Sequence, residues 1–167
     1  MEENTAEKIL KGAILLEIRG KSFYQKVAND AQSEAVRDFF EQMAGEEENH
    51  IKVLSHQYKE YKANRRFDPE AVPSLEKSDA ADKVLTDKLK NQISAAGFES
   101  AAISAAMAME RDAIKYYSQR AEESDDEGEK ALYKWLSGWE TGHLNMLVDI
   151  DKALTEKVWN DNQFWPF

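Results

Sequence analysis

The sequence contains no cysteine and very little proline. Cysteine is absent from its 167 residues, and the three prolines are Pro69, Pro73 and Pro166. The lack of cysteine excludes disulfides, thiolate zinc sites and iron–sulfur centres within this chain. Any metal that the chain binds must therefore be held by oxygen and imidazole ligands.

Long apolar runs and clustered positive charge are also missing. The first twelve residues are largely polar, and the longest apolar run near the start covers only residues 13–16. We therefore expect no signal peptide, no membrane span and a cytoplasmic location. The net charge is −10 and the basic residues are scattered, which argues against binding to nucleic acids or anionic membranes.

What the sequence does contain is helical periodicity. Four long stretches carry apolar residues at helical spacing, and they predict helices over about 5–29, 33–62, 99–123 and 126–158. The predicted fold is a single all-α domain with an antiparallel helical hairpin over 5–62 and a second over 97–158. A crossover over 63–96, with a short helix near 80–94, joins the hairpins, and an aromatic tail covers 159–167.

The two hairpins repeat each other at a shift of 93 residues. The shift maps two glutamates, a histidine and a tyrosine of the first hairpin onto the same residue types in the second. These pairs are Glu17 and Glu110, Glu47 and Glu140, His50 and His143, and Tyr24 and Tyr117. The repeated order, Glu followed by Glu-x-x-His, is a ligand set for two metal ions.

Helix dimensions indicate that these side chains meet. Glu17 lies roughly 18 Å from the first turn, and Glu47 lies roughly 21 Å from it. Glu110 and Glu140 each lie roughly 21 Å from the second turn. All four share a face with apolar residues, and four carboxylates packed together must either bind protons or neutralise a cation. Two divalent ions would balance the four charges and change the net charge of the chain from −10 to −6.

The residue types suggest which metals fit. In Glu-x-x-His the carboxylate and the imidazole are neighbours on one helix face, so each motif can serve one ion. Carboxylate and imidazole ligands suit iron or manganese and tolerate zinc. Tyr24 and Tyr117 lie on the same helix faces, where they serve either as core aromatics or in proton or electron transfer beside the metals.

Through its two hairpins and the doubled motif, the chain resembles the ferritin-like di-iron carboxylate proteins, most closely the rubrerythrin and erythrin branch. The resemblance covers residues 5–158 and implies a ferritin-like four-helix bundle that binds two iron ions. It implies the following ligands: Glu17 and Glu110 as terminal carboxylates, Glu47 and Glu140 as bridging carboxylates, and His50 and His143 as imidazoles.

The resemblance also implies a function. It predicts a di-iron oxidoreductase that acts in oxidative stress and reduces hydrogen peroxide or dioxygen. Rubrerythrins typically carry a seventh acid where this chain has Met107, and full rubrerythrins add a rubredoxin module with four cysteines. A separate electron-donor protein is therefore expected, and the aromatic-rich C-terminus favours a homodimer. The alternatives are a ferroxidase that handles iron and a helical interaction module without metal.

Two further features have structural interpretations. Gly45 and Gly138 each lie two residues before a motif glutamate, which favours close helix packing over an access route for the oxidant. His56 lies off the predicted ligand face and has no partner in the repeat, so we expect it at the surface.

Overall fold

The fold is an all-α bundle, as the periodicity predicts. The computed structural model describes residues 5–73, 79–92 and 97–161, and the described residues form helices without any strand. The helices are α1 (Thr5–Asp30), α2 (Glu34–Asn64), α3 (Asp79–Gln92), α4 (Phe98–Glu123) and α5 (Glu127–Asp161), with a short 3₁₀ helix over Pro69–Ala71.

Two helix starts illustrate how local chemistry sets the boundaries. Before α5, the Asp126 carboxylate accepts a hydrogen bond from the backbone N–H of Glu129 at 2.8 Å and so caps this helix. Before α2, Ser33 occupies the N-cap position without capping through its side chain. Its hydroxyl instead donates to Oε1 of Gln92 at 3.0 Å. This bond links the turn between α1 and α2 to the last residue of α3.

The helices pack as two hairpins. α1 packs along α2 and α4 packs along α5, while α3 lies against α2 and α5. The crossover therefore carries the chain across the bundle and lets the second hairpin repeat the first. This arrangement places the matching residues of the repeat at one level of the bundle.

A charged layer divides the core into two apolar clusters. One cluster contains the C-terminal half of α1 and the N-terminal half of α2, including Phe39 and Phe40. The other contains the opposite halves of the same helices, including Leu10 and Leu54. Between them the six buried acids and imidazoles of the repeat interrupt the apolar packing.

The helix ends differ slightly from the predicted ones. α2 continues to Asn64 and α5 to Asp161, because no proline interrupts either helix there. Trp159, assigned above to the aromatic tail, is therefore helical, and it is 60% exposed. Residues 162–167 of the predicted tail lie outside the described residues.

A membrane span is not found in the described part of the chain. No helix there combines the length and the apolar character that crossing a bilayer requires.

The expectation of close packing at Gly45 is wrong. Gly45 lies on the exposed side of α2, and a Cβ atom built at this position meets no atom within 4 Å. Gly128 has the opposite environment, since an added Cβ would lie 2.9 Å from the Cβ of Phe67. Tight packing therefore occurs where α5 begins, against the segment that follows α2.

The two glycines give a matched pair of predictions for stability. Gly45→Ala should stabilise the protein by about 1 kcal/mol, because alanine favours the helix and meets no steric conflict. Gly128→Ala should destabilise it by roughly 1 to 2 kcal/mol, because the new methyl group overlaps Phe67. Denaturant unfolding of both variants tests this, and a similar change in both would contradict the packing described here.

Candidate metal centre

The six predicted ligand residues meet in one buried layer. Each of the four bundle helices contributes a glutamate, and α2 and α5 each add a histidine one helical turn later. The exposed fractions are between 1% and 3% for all six: Glu17, Glu47, His50, Glu110, Glu140 and His143. The sequence thus predicted which charged side chains the fold buries together.

His50 faces three carboxylates from three helices. Its Nδ1 atom lies 3.0 Å from Oε2 of Glu17, 3.3 Å from Oε2 of Glu47 and 3.2 Å from Oε1 of Glu140. One ring nitrogen carries at most one proton and can satisfy only one of these acceptors well. Several anionic oxygens converging on a nitrogen lone pair are the donor set that a divalent cation requires.

His143 occupies the related position on the other side of the layer. Its Nδ1 lies 3.0 Å from Oε2 of Glu140, 3.5 Å from Oε1 of Glu110 and 3.7 Å from Oε1 of Glu47. The two imidazole rings are nearly parallel, with ring centroids 5.8 Å apart. Both histidines therefore present Nδ1 to the carboxylates.

The ligand atoms form two overlapping groups. Glu17, Glu47, His50 and Glu140 form one group, and Glu47, Glu110, Glu140 and His143 form the other, with the ligand atoms of each group within 4.8 Å of one another. Each group could hold a metal ion, and the two groups share Glu47 and Glu140. Within the described chain, Oε1 of Glu140 is buried without a hydrogen-bond partner, so its lone pairs remain available to a cation.

Burial and mutual repulsion perturb the acids in this layer. Burial, followed by the charge of Glu140, raises the pKa of Glu47 well above its ordinary value. Burial also raises the pKa of Glu110 to about 7, although the hydrogen bond to His143 acts in the opposite direction. Burial opposes ionisation of Glu140 as well, but the hydrogen bond from His143 and the positive charges of His143 and His50 outweigh it and lower the pKa of this carboxyl.

The neighbouring carboxylates also change the pKa values of the two histidines. Burial disfavours the charged form of His50, but the close carboxylates of Glu140, Glu17 and Glu47 outweigh it and raise the pKa of this histidine well above the ordinary value. Burial is likewise outweighed at His143, whose pKa is raised by its carboxylate partners, Glu110 first among them. In the absence of metal, protons thus supply the positive charge that the carboxylates require.

The two predicted tyrosines connect the hairpins. The hydroxyl of Tyr24 on α1 donates to Oε1 of Glu110 on α4, and that of Tyr117 on α4 donates to Oε1 of Glu17 on α1. Burial, together with the neighbouring carboxylates, raises the pKa of both phenols well above the ordinary value. Both phenols therefore keep their protons and orient one carboxylate each.

Glu46 is a functional candidate that the sequence analysis did not select. Its Oε2 lies 2.5 Å from Nε2 of His143, the ring nitrogen that points away from the carboxylate layer. Its Oε1 accepts a hydrogen bond from Gln42 at 3.0 Å. A carboxylate behind a histidine fixes the ring orientation and makes the imidazole a stronger donor to a metal.

The sequence does contain one indication that Glu46 is special, because the two halves of the repeat differ at this position. The shift of 93 residues maps Glu46 onto Trp139 and Gln42 onto Trp135. In the structure these tryptophans surround His50 instead, with ring centroids 5.8 Å and 5.4 Å from its ring. One histidine is therefore supported by a carboxylate and the other by aromatic rings.

Three other positions considered in the sequence analysis do not belong to the ligand groups. Met107, at the position of the extra rubrerythrin acid, is buried on α4. No acid from the described part of the crossover belongs to either ligand group. His56 lies at the surface, as expected, where its Nε2 is 3.3 Å from Oδ2 of Asp68.

A comparison with protein families identifies the family of this chain. A family model described as rubrerythrin matches residues 8–150, which include all six ligand candidates. No curated protein and no solved structure matches the chain significantly.

The perturbed acids and histidines predict how stability depends on pH. Ordinary pKa values are 4.5 for glutamate and 6.5 for histidine, and those of Glu47, His50 and His143 are raised well above these values. Between about pH 5 and 8 the folded protein then binds more protons than the unfolded chain, so stability falls as the pH rises. We expect the melting temperature of chelator-treated protein to drop by about 5 to 10 °C over this range.

Two controls accompany the pH series. In Glu110→Gln the decline should be shallower, because a carboxyl with a pKa raised to about 7 no longer contributes. Excess zinc should also reduce the decline, because a cation then replaces the protons. A melting temperature that rises from pH 5 to 8 in the metal-free protein would contradict the proposed proton binding.

Proposed function

The chain belongs to the rubrerythrin family, and from this premise we propose that it is a di-iron oxidoreductase that reduces hydrogen peroxide. Electrons would come from a separate donor protein, because the chain has no cysteine with which to build an iron–sulfur centre of its own. The family membership and the buried cluster together support a di-iron protein, and the choice of peroxide as oxidant is our proposal.

The pair of overlapping ligand groups is the observation that carries this proposal. Two groups that share Glu47 and Glu140 suit a dinuclear centre in which these carboxylates bridge the ions. Glu17 and Glu110 would then bind one ion each as terminal ligands, and His50 and His143 would each bind one ion through Nδ1. Neutral imidazole and carboxylate ligands are compatible with iron.

The bound ions would supply what the side chains lack. Two ferrous ions hold the two electrons that cleavage of the O–O bond in peroxide consumes. The protein contributes a buried position and fixed ligands. Tyr24 and Tyr117 keep the terminal carboxylates oriented through their hydrogen bonds, and Glu46 orients His143.

The proposed centre makes a stoichiometric prediction. Anaerobic titration with Fe(II) should give two ions per chain, and one equivalent of peroxide should then oxidise both much faster than dioxygen does. Glu47→Gln should abolish binding of at least one ion, because this variant removes a shared carboxylate. The ferric absorption after mixing measures the rate in each case.

Glu48→Gln is the matched control for Glu47→Gln. Glu48 is the adjacent acid on α2, but it is 2.5 Å from Lys21 and outside the ligand groups, so this variant should still bind two ions. Faster oxidation by dioxygen than by peroxide would contradict peroxide reduction and favour the ferroxidase alternative. The absence of saturable binding would rule out the di-iron centre itself.

Because a carboxylate supports His143 and no carboxylate among the described residues supports His50 in the same way, we expect Glu46 to affect the affinity of only one of the two ions. Glu46→Gln keeps the size of the side chain but removes the charge that strengthens the imidazole, so one of the two ions should bind about 10 to 100 times more weakly. Titration with redox-inert Zn(II) measures this directly, with Glu48→Gln again as the control. Equal weakening of both ions, or none, would show that Glu46 does not support one position selectively.

A further inference from the structure

A cavity lies directly against the carboxylate layer, on the side of the bundle where α1 faces α4. Its volume is about 280 Å³ and it is partly open to solvent. One end is formed by the four glutamates of the layer, whereas neither His50 nor His143 is part of its lining. The cavity therefore approaches the centre from the side opposite the imidazoles.

The walls of the cavity are mostly apolar. Leu16 and Phe23 of α1 face Met109 and Ala113 of α4 across the opening. The shift of 93 residues pairs Leu16 with Met109 and also pairs Gly20, another lining residue, with Ala113. Small residues therefore stand at equivalent places on both helices, and they leave the space open.

The cavity is much larger than hydrogen peroxide needs. A water molecule takes up about 30 Å³ in the liquid, so peroxide with its two oxygens needs roughly twice that. An engineered apolar cavity of about 150 Å³ is already large enough to bind benzene. The volume here thus accommodates a compact organic group together with a peroxide end.

The charges around the cavity favour a neutral ligand. An anion entering it would approach four glutamates, and Arg19 is the basic residue among those that line it. Arg19 lies at an exposed position, as does the oppositely charged Asp112 of α4. A neutral molecule with one apolar and one polar end matches the apolar walls and the acidic floor.

We propose that this cavity binds small organic hydroperoxides, with the apolar group between Leu16, Phe23 and Met109 and the O–O end toward the glutamates. The substrate class rests on the peroxide reduction proposed above. Reduction would break the O–O bond and use two electrons and two protons to give an alcohol and water. The two electrons would come from two ferrous ions held by the six ligand residues, as proposed for hydrogen peroxide, and the two protons from solvent through the open end of the cavity.

Binding is tested separately from chemistry with a product analogue. The probe is 2-phenyl-2-propanol, the alcohol formed from cumene hydroperoxide, added to protein loaded with redox-inert Zn(II) and followed by calorimetry or ligand-observed NMR. One molecule should bind per chain. Ala113→Leu should weaken binding about tenfold, because the larger side chain fills the apolar space. Ala105→Leu, the same change at an exposed position of α4, should have no effect.

Kinetics on the iron-loaded protein give the second measurement. In Ala113→Leu, the ratio of kcat/KM for cumene hydroperoxide to that for hydrogen peroxide should fall about tenfold. The ratio should not change in Ala105→Leu. Leu16→Trp fills the cavity from the other wall and should have the same effect, which provides an independent variant if Ala113→Leu does not fold.

The outcomes distinguish the two proposals. Saturable, cavity-dependent binding of the alcohol without any peroxide turnover would support the cavity and overturn the proposed function. Turnover of hydrogen peroxide without alcohol binding, or with a selectivity ratio that neither cavity-filling variant changes, would overturn the organic hydroperoxide proposal alone.

Discussion

The arrangement of this molecule depends on the cost of burying four carboxylates in the middle of a helical bundle. An unpaired buried charge is strongly destabilising, and the cost decreases only if a cation or protons neutralise it. The six polar side chains of the layer are nearly inaccessible to water. They also separate two apolar clusters that are each smaller than an undivided core. The stability of this fold therefore depends on how the charge of the layer is neutralised, whether by protons or by a bound cation.

Much of this layer could be predicted from the sequence. The repeat and the helical period together determine how far along the bundle each side chain lies and whether it points into the core. Glu17 and Glu110 lie on apolar helix faces, and similar distances from the turns bring them to the level of Glu47 and Glu140. The structure places all four where this geometry predicts. The hydrogen bonds from Tyr24 and Tyr117 required the packed bundle, because each joins α1 to α4 and so depends on how the hairpins meet.

Glu46 was missed because it lies in a run of three acids and at the edge of the inward face of α2. Helical spacing alone assigns such a residue to the surface, and only the position of His143 on another helix shows its contact. Gly45 was misassigned for a related reason. A glycine within a helix suggests close packing, but this one faces open space. Contacts between helices thus determine what a residue does at the edge of a helix face.

The two sides of the centre differ, with a cavity on one side and packed aromatic rings on the other. This difference follows from where the repeat is preserved and where it is not. On the α1 and α4 side, Gly20 and Ala113 keep small side chains at equivalent positions, and a cavity remains beside the glutamates. On the α2 and α5 side, the repeat replaces Glu46 and Gln42 by Trp139 and Trp135, whose rings pack around His50. Bulky and hydrogen-bonded groups support the imidazoles there, while small groups leave a cavity beside the buried carboxylates. In the peroxide reduction proposed above, the reactant would therefore enter from the carboxylate side, while the groups around the histidines would hold the ligands in place.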